Sequence, residues 1–248
     1  MAFWAFAIPL FLCLREAKKL NFPGRPILVL AYFGGWIGFS GARMLGILLH
    51  LIRHPVPHNL KNLVLHSGSA YLGGLIAALV FAAAYLRFAR ISFWKMLDFL
   101  GPYVTLGEGI GRLGCFLAGC CYGIVYGGPF AVTSAAGHGH MDSAIKVSRF
   151  PVQPLAFLAG LASFCILIRL RGKMRFEGQL GLLSILLYAT IRSLLELLRG
   201  DEVRGLWFGE RLSSSQIISM LLMSAAAAAW AWKRQDKLNE AKAEGRPN

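Results

Sequence analysis

The residues of this chain with the most chemistry in them are charges set inside apolar runs. Glu108 and Arg112 are four apart, which puts them on one face of a helix. They sit in a glycine-rich stretch that continues through Gly111, Gly114, Cys115, Gly119, Cys120, Cys121, Tyr122 and Gly123. Glycine lets backbones approach closely and leaves room for a ligand. A second group is Tyr188, Arg192, Glu196 and Arg199. At ~100° per residue these four cover only about 80° of helix surface. Arg43, in Gly41-Ala42-Arg43, is a third intrusion into an apolar stretch. A charge at the bilayer centre costs about 2.5–3.5 kcal/mol on insertion scales, so each must face protein, water or an anion. Guanidinium groups on one stripe suit a buried phosphate or carboxylate. Taken singly, Glu108 with Arg112 and Arg192 with Glu196 are as readily structural pairs as functional ones. The cations on separate helices outnumber the acids available to neutralise them, and that excess points to an anion site.

The elements that must hold these residues follow from composition. Of 248 residues, 56% are hydrophobic and 15% charged, with a mean hydropathy of +0.55. Soluble domains run nearer a quarter charged, so lipid is the natural solvent here. The net charge of +14 is no nucleic-acid footprint. Lys and Arg lie mostly in short connectors between apolar runs, where they set orientation and meet anionic head groups.

The apolar runs span about 2–14, 27–52, 68–86, 93–119, 152–170, 179–198 and 213–232, each read as a helix. A polar, glycine-rich stretch separates the fourth from the fifth. The first run is short, and no small-residue cleavage site follows it, so a cleaved signal peptide is not expected. Connectors one, three and five hold Arg15, Lys18, Lys19 and Arg25, then Arg87, Arg90 and Lys95, then Arg169, Arg171, Lys173 and Arg175. The alternate connectors are poorer, with Arg53 and Lys61, Lys146 and Arg149, and Arg199, Arg204 and Arg211. The expected fold is an all-α membrane protein of about seven transmembrane helices, N-terminus outside and C-terminus cytoplasmic. Residues 1–232 form the membrane domain and 233–248 a polar, mobile cytoplasmic tail. Trp4, Trp36, Trp94 and Trp232 fit interfacial anchors. Among the cysteines, Cys13 and Cys165 read as small hydrophobes. There is no spaced CxxC pair, so neither a metal site nor a cofactor is expected. The adjacent Cys120 and Cys121 are expected to stay reduced.

From Gly111 to Gly123 the sequence resembles the signature of the bacterial phosphatidylglycerol–prolipoprotein diacylglyceryl transferases. Gly41-Ala42-Arg43 is similar to that family's Gly-Gly-Arg, and Tyr71-Leu72-Gly73-Gly74-Leu75 to its Phe-His-Gly-Gly-Leu. Asp98-Phe99 with Pro102 resembles the start of the signature helix, and Arg149-Phe150-Pro151-Val152-Gln153 its Arg-His-Pro-Ser-Gln. Tyr188, Arg192, Glu196 and Arg199 resemble the Tyr-x-x-x-Arg, Glu and Arg pattern. The resemblance implies an enzyme of the bacterial inner membrane. It would move the diacylglyceryl group of phosphatidylglycerol onto the lipobox cysteine of a preprolipoprotein signal peptide and release glycerol phosphate. It implies Arg112, Arg192, Tyr71 and Glu196 as the reacting or charge-stabilising residues. The lipid would be held by Arg112, Arg192, Arg43, Tyr188, Arg199, Gly111, Gly114, Cys115, Gly119, Gly73, Gly74 and Gln153.

There are departures. The family's histidine before Gly-Gly is Leu72, and the asparagine after its signature Arg-x-Gly is Cys115. Phosphate-binding parts are kept while thiol-activating parts are altered; Tyr71, His66 and Glu108 are the substitute bases on offer. Two rival readings stand beside the transferase. One is a related lipid transferase with another acceptor and Cys115, Cys120 or Cys121 as nucleophile. The other is a non-catalytic protein that binds anionic phospholipid.

Overall fold

The computed structural model describes residues 2–53, 71–135, 146–200, 206–207 and 212–243. Within them lie seven helices: α1 (Ala2–Lys19), α2 (Gly24–Arg53), α3 (Tyr71–Phe88), α4 (Phe93–Leu117), α5 (Val152–Leu170), α6 (Gln179–Leu197) and α7 (Ser214–Ala243). Each coincides with one apolar run. Pro151 sets the start of α5, because the residue before a proline is held out of helical conformation. The connectors carry some order of their own. β1 (Val132–Ala135) pairs antiparallel with β2 (Lys146–Arg149), Val132 opposite Arg149. β3 (Leu206–Trp207) pairs with β4 (Leu212–Ser213). At the other end α7 runs past Lys233 to Ala243, through the segment expected as a mobile tail. Its Ala, Lys, Glu and Gln residues are strong helix formers, and Gln235 Nε2 donates to Asn239 Oδ1 one turn on.

Among the described residues, four helices are long and apolar enough to cross a membrane: Gly24–Ile52, Val152–Lys173, Gln179–Leu197 and Ser214–Glu240. Gly73–Phe88 is apolar but shorter. Their outward faces are apolar too. Tyr32, Phe33, Trp36, Phe39 and Met44 of α2 are exposed, as are Val104, Leu158, Leu194, Leu197 and Leu221. In water such a surface is an aggregation hazard; against acyl chains it is matched, with every helical backbone group bonded internally. The chain is an all-α membrane protein.

The helices fall into two compact units, Leu14–Phe93 and Met1–Cys13 with Trp94–Asn248. In the first of these, α2 and α3 meet at a glycine seam. A Cβ on Gly41 would lie 2.5 Å from Ala77 Cβ and 2.7 Å from Gly73 O; one on Gly74 would lie 2.7 Å from Gly38 O. No side chain fits there, which is how membrane helices gain van der Waals contact when lipid offers no hydrophobic drive between them.

In the other unit α4 is the central element. A Cβ on Gly101 would meet Ser184 Oγ of α6 at 2.6 Å. One on Gly107 would meet Ala5 O of α1 at 3.0 Å, and one on Gly109 would meet Gly160 Cα of α5 at 3.3 Å. At ~100° per residue these glycines point in three directions, so α4 is contacted on three sides. Its start also caps α6. The Asp98 carboxylate accepts 2.7 Å bonds from the backbone N–H groups of Gly178 and Gly181, with Gly178 in the left-handed region at φ 94°. The amide donors of a helix N-terminus are thus satisfied by a residue 80 positions earlier in the chain, and negative charge there suits the helix dipole. Asp98→Ala is expected to lower stability by about 0.5–2 kcal/mol, read as a fall in the thermal midpoint of the detergent-solubilised protein. An unchanged midpoint would show that α6 does not depend on this cap.

Candidate functional site

The fixed junction of α4, α5 and α6 holds a cleft of about 540 Å³, open space at its mouth included. Glu108, Arg112, Gln153, Tyr188, Arg192 and Arg199 line it, with Cys121 and the apolar Val152, Ala156, Ile191 and Leu195. Seven residues singled out from sequence, namely Glu108, Arg112, Cys121, Gln153, Tyr188, Arg192 and Arg199, therefore share one space.

Each arginine is held by an acid on its own helix. Arg112 Nε donates to Glu108 Oε1 at 2.7 Å, and its Nη2 contacts the same oxygen. Arg192 Nη1 lies 2.7 Å from Glu196 Oε2, and Arg199 Nη1 lies 3.4 Å from that same atom. Glu196 is only 2% exposed and sits behind the cleft wall as a shared anchor. Among the described residues, three guanidiniums face two carboxylates, Glu108 and Glu196, an excess of one positive charge. The cleft's two small hydroxyls add little. Thr105 Oγ1 donates to Pro102 O at 2.7 Å and Ser163 Oγ to Ala159 O at 2.8 Å, each on its own helix.

The chain after α4 closes one end of this region. Cys120 N donates to Cys115 O at 3.1 Å and Gly119 N to Phe116 O at 3.2 Å, with Gly119 at φ 67°. This is the paired 6→1 and 5→2 ending of a helix that needs a left-handed residue. Beyond it, Ile124 N donates to Leu198 O, Gly200 N to Tyr122 O and Phe150 N to Ile124 O. Gly123 is clamped between Phe150 O and Leu198 O, where any side chain would collide. Arg149 lies over the Tyr122 ring, 3.9 Å from its centroid, and donates to Gly123 O at 3.4 Å. Gln153 Nε2 donates to Cys120 O at 2.8 Å. Burial pushes the Cys120 thiol up from its ordinary value. Arg199 is in this way tied both to Glu196 and to a laced connector.

The remaining expected residues are placed as follows. Gly111 has open space, with Ala5 Cβ 4.0 Å from a Cβ built on it. The Gly114 carbonyl accepts from Ala118 N at 3.0 Å. Cys115 lies two residues before the end of α4 and Gly119 two residues past it. Arg43, Tyr71, Gly73 and Gly74 belong to the other unit, where helix packing accounts for the two glycines. His66, Lys61, Arg204 and Arg211 lie outside the described residues. Cys121, offered from sequence as a candidate nucleophile, lines the cleft; sequence reasoning missed Asp98 as the cap of α6.

Apolar helices around a cleft with a surplus guanidinium define an α-helical membrane protein equipped to handle an anionic group. Comparison with known proteins gives the family. A model described as prolipoprotein diacylglyceryl transferase matches residues 1–232, and the chain belongs to that family. A phosphatidylglycerol–prolipoprotein diacylglyceryl transferase of Mannheimia succiniciproducens is 32% identical over 176 residues, covering 69% of this chain and 63% of the relative. Proteins of the same description from Clostridium tetani and Pasteurella multocida are 29% and 30% identical. They cover 83% and 84% of this chain, and 80% and 77% of themselves. The chain thus spans somewhat under two thirds of the first of these relatives.

Proposed function

We propose that this protein transfers the diacylglyceryl group of phosphatidylglycerol to the thiol of a lipobox cysteine in a preprolipoprotein signal peptide, leaving a thioether and glycerol phosphate. The observation that carries this reading is the excess positive charge of Arg112, Arg192 and Arg199 in one cleft. As the carbon–oxygen bond to phosphate breaks, charge grows on the leaving oxygen. Preorganised guanidiniums stabilise that charge more than they stabilise the ground state. Arg112 and Arg192 take this role. Glu108 and Glu196 keep their forks aimed, and Arg199, Tyr188 and Gln153 position the lipid. Gly111, Gly114, Cys115 and Gly119 border its approach. The roles of Arg43, Tyr71, Gly73 and Gly74 rest on the family resemblance.

The same reading makes residues 1–232 a seven-span domain of the bacterial inner membrane, with the N-terminus outside and 233–248 in the cytoplasm. In support, the Trp94 and Trp232 rings lie 6.5 Å apart, and Lys233 Nζ lies 5.3 Å from each. That is an aromatic and basic girdle of the kind found at an interface. The deciding experiment supplies phosphatidylglycerol micelles and a lipobox peptide to the detergent-solubilised protein and measures glycerol phosphate. Release with the peptide, and none when its cysteine is alanine, is the expected result. Lipid binding without release would instead leave a phospholipid-binding protein. A lipid adduct on the protein itself would make one of its own cysteines the nucleophile.

A further inference from the structure

The sulfur atoms of Cys115, Cys120 and Cys121 all lie within 4.8 Å of one another. Nothing in their spacing announces this, since they form no CxxC pair. The turn that ends α4 assembles them. Gly119 reverses the chain at φ 67°, and Cys121 follows in the same left-handed region at φ 56°. A residue with a side chain rarely adopts that conformation, and here the surroundings hold it. The buried Gln153 amide pins the Cys120 carbonyl at 2.8 Å, Gly200 N donates to Tyr122 O and Ile124 N to Leu198 O, and Gly123 bridges to Arg199. Cys121 then faces the same cleft as Arg112.

Three thiols without a carboxylate or imidazole are a soft donor set, which favours zinc over magnesium or calcium. Zinc binds sulfur at ~2.3 Å in a tetrahedron, which sets sulfurs ~3.8 Å apart. The observed spacing reaches that with a modest contraction. Among the described residues no fourth His, Cys, Asp or Glu joins the group. Structural zinc has four protein ligands; three with an open position is the catalytic arrangement. Three thiolates and a divalent cation sum to one negative charge, and Arg112 on the same cleft opposes it.

The proposed reaction needs a thiolate at neutral pH, and a free thiol has a pKa near ~8.5. The described part of this unit contains no histidine. Its two cleft carboxylates, Glu108 and Glu196, are engaged by arginines. A thiol that ligates zinc is deprotonated outright, so a metal would do what no side chain among the described cleft residues is placed to do.

We infer that Cys115, Cys120 and Cys121 form a three-thiolate zinc site whose open position takes the acceptor cysteine and activates its sulfur. The acceptor thiol enters as the fourth ligand and its proton leaves to water. A sulfur lone pair then forms the bond to the glyceryl carbon as the carbon–oxygen bond to phosphate breaks. That bond's electron pair stays on the phosphate oxygen, opposed by Arg112 and Arg192. The thioether product is a weak ligand and departs, with no oxidant or reductant involved. The catalytic half of this inference rests on the transferase reading above; the binding of metal does not.

The test uses the full-length protein in detergent, stripped with a chelator and titrated with zinc against a chromophoric competitor. A parallel cobalt titration reads thiolate-to-metal charge transfer. The expected result is about one zinc per chain, with affinity lowered at least ~100-fold in Cys115→Ser, Cys120→Ser and Cys121→Ser. Cys165→Ser serves as a control that keeps full affinity. Helicity and elution volume check that each variant is folded. Lipobox peptide should intensify the cobalt–thiolate band, and its Cys→Ala version should not. Zinc binding no better than that of the serine variants overturns the site, as does a Cys120–Cys121 disulfide found by intact mass. A cobalt spectrum indifferent to the peptide overturns the activating role. Glycerol-phosphate release that persists in the metal-free protein sinks the inference and leaves the transferase standing. Zinc and peptide binding without any release does the reverse.

Discussion

Arg192→Ala is expected to lower the rate of glycerol-phosphate release by about 10²–10³-fold, the usual loss when one preorganised donor to a developing oxyanion is removed. Arg192 is 15% exposed and held 2.7 Å from Glu196, so its fork is fixed before substrate arrives. Arg112, held by Glu108 on its own helix α4, is expected to give a loss of similar size. The two effects are expected to be less than additive, because both donors serve one leaving group. The decrease should appear in kcat more than in KM, since charge on the leaving oxygen grows only toward the transition state. Arg192→Lys is expected to recover only part of the rate, a point charge replacing a planar two-point donor. Normal turnover by both alanine variants, at normal membrane expression, would remove the arginines from the chemistry altogether.

Glu196→Ala is expected to be the most destabilising single change in the cleft. Its carboxylate is 2% exposed and bridges Arg192 and Arg199 through one oxygen. Removing the shared partner of two half-buried guanidiniums leaves like charges facing each other in a poorly solvated place. Breaking a buried pair in this way costs about 3–5 kcal/mol. The thermal midpoint in detergent should fall sharply and activity should go with it. Glu196→Gln preserves the volume and isolates the charge effect; a midpoint equal to wild type in that variant would show that the bridge is electrostatically idle.

The seven helices were legible in the sequence because apolar length alone marks a helix in lipid, and charged connectors mark its ends. The stripe of Tyr188, Arg192, Glu196 and Arg199 was legible for a related reason: at helical spacing those residues must share a face. The glycines of α4 were harder. The glycine-rich stretch read equally as close backbone approach and as room for a ligand; Gly107 and Gly109 sit where a neighbouring helix comes close, as does Gly101 earlier in α4. A missing side chain looks the same in sequence whether the space is left for a lipid or for a backbone. What local periodicity could not reveal was anything built by a turn or a distant pairing. The thiol trio depends on two departures into left-handed backbone one residue apart, at Gly119 and Cys121. The cap on α6 comes from Asp98, far away in the chain. Gly123 is boxed in by two segments that follow it by tens of residues.

The ion pairs of the cleft lie within single helices, Glu108 with Arg112 on α4 and Arg192 with Glu196 on α6. Each helix therefore brings its own counter-ion, and neither pair needs a second helix to form it. An unaccompanied arginine at mid-membrane would oppose insertion by about 2.5–3.5 kcal/mol, and α4 precedes α6 by more than sixty residues of translation. Neutralisation in cis leaves each half of the site charge-paired before the other half has been made. The surplus charge arrives last, on Arg199 at the end of α6, so the cleft acquires its attraction for an anion only when the helix that completes it is in place.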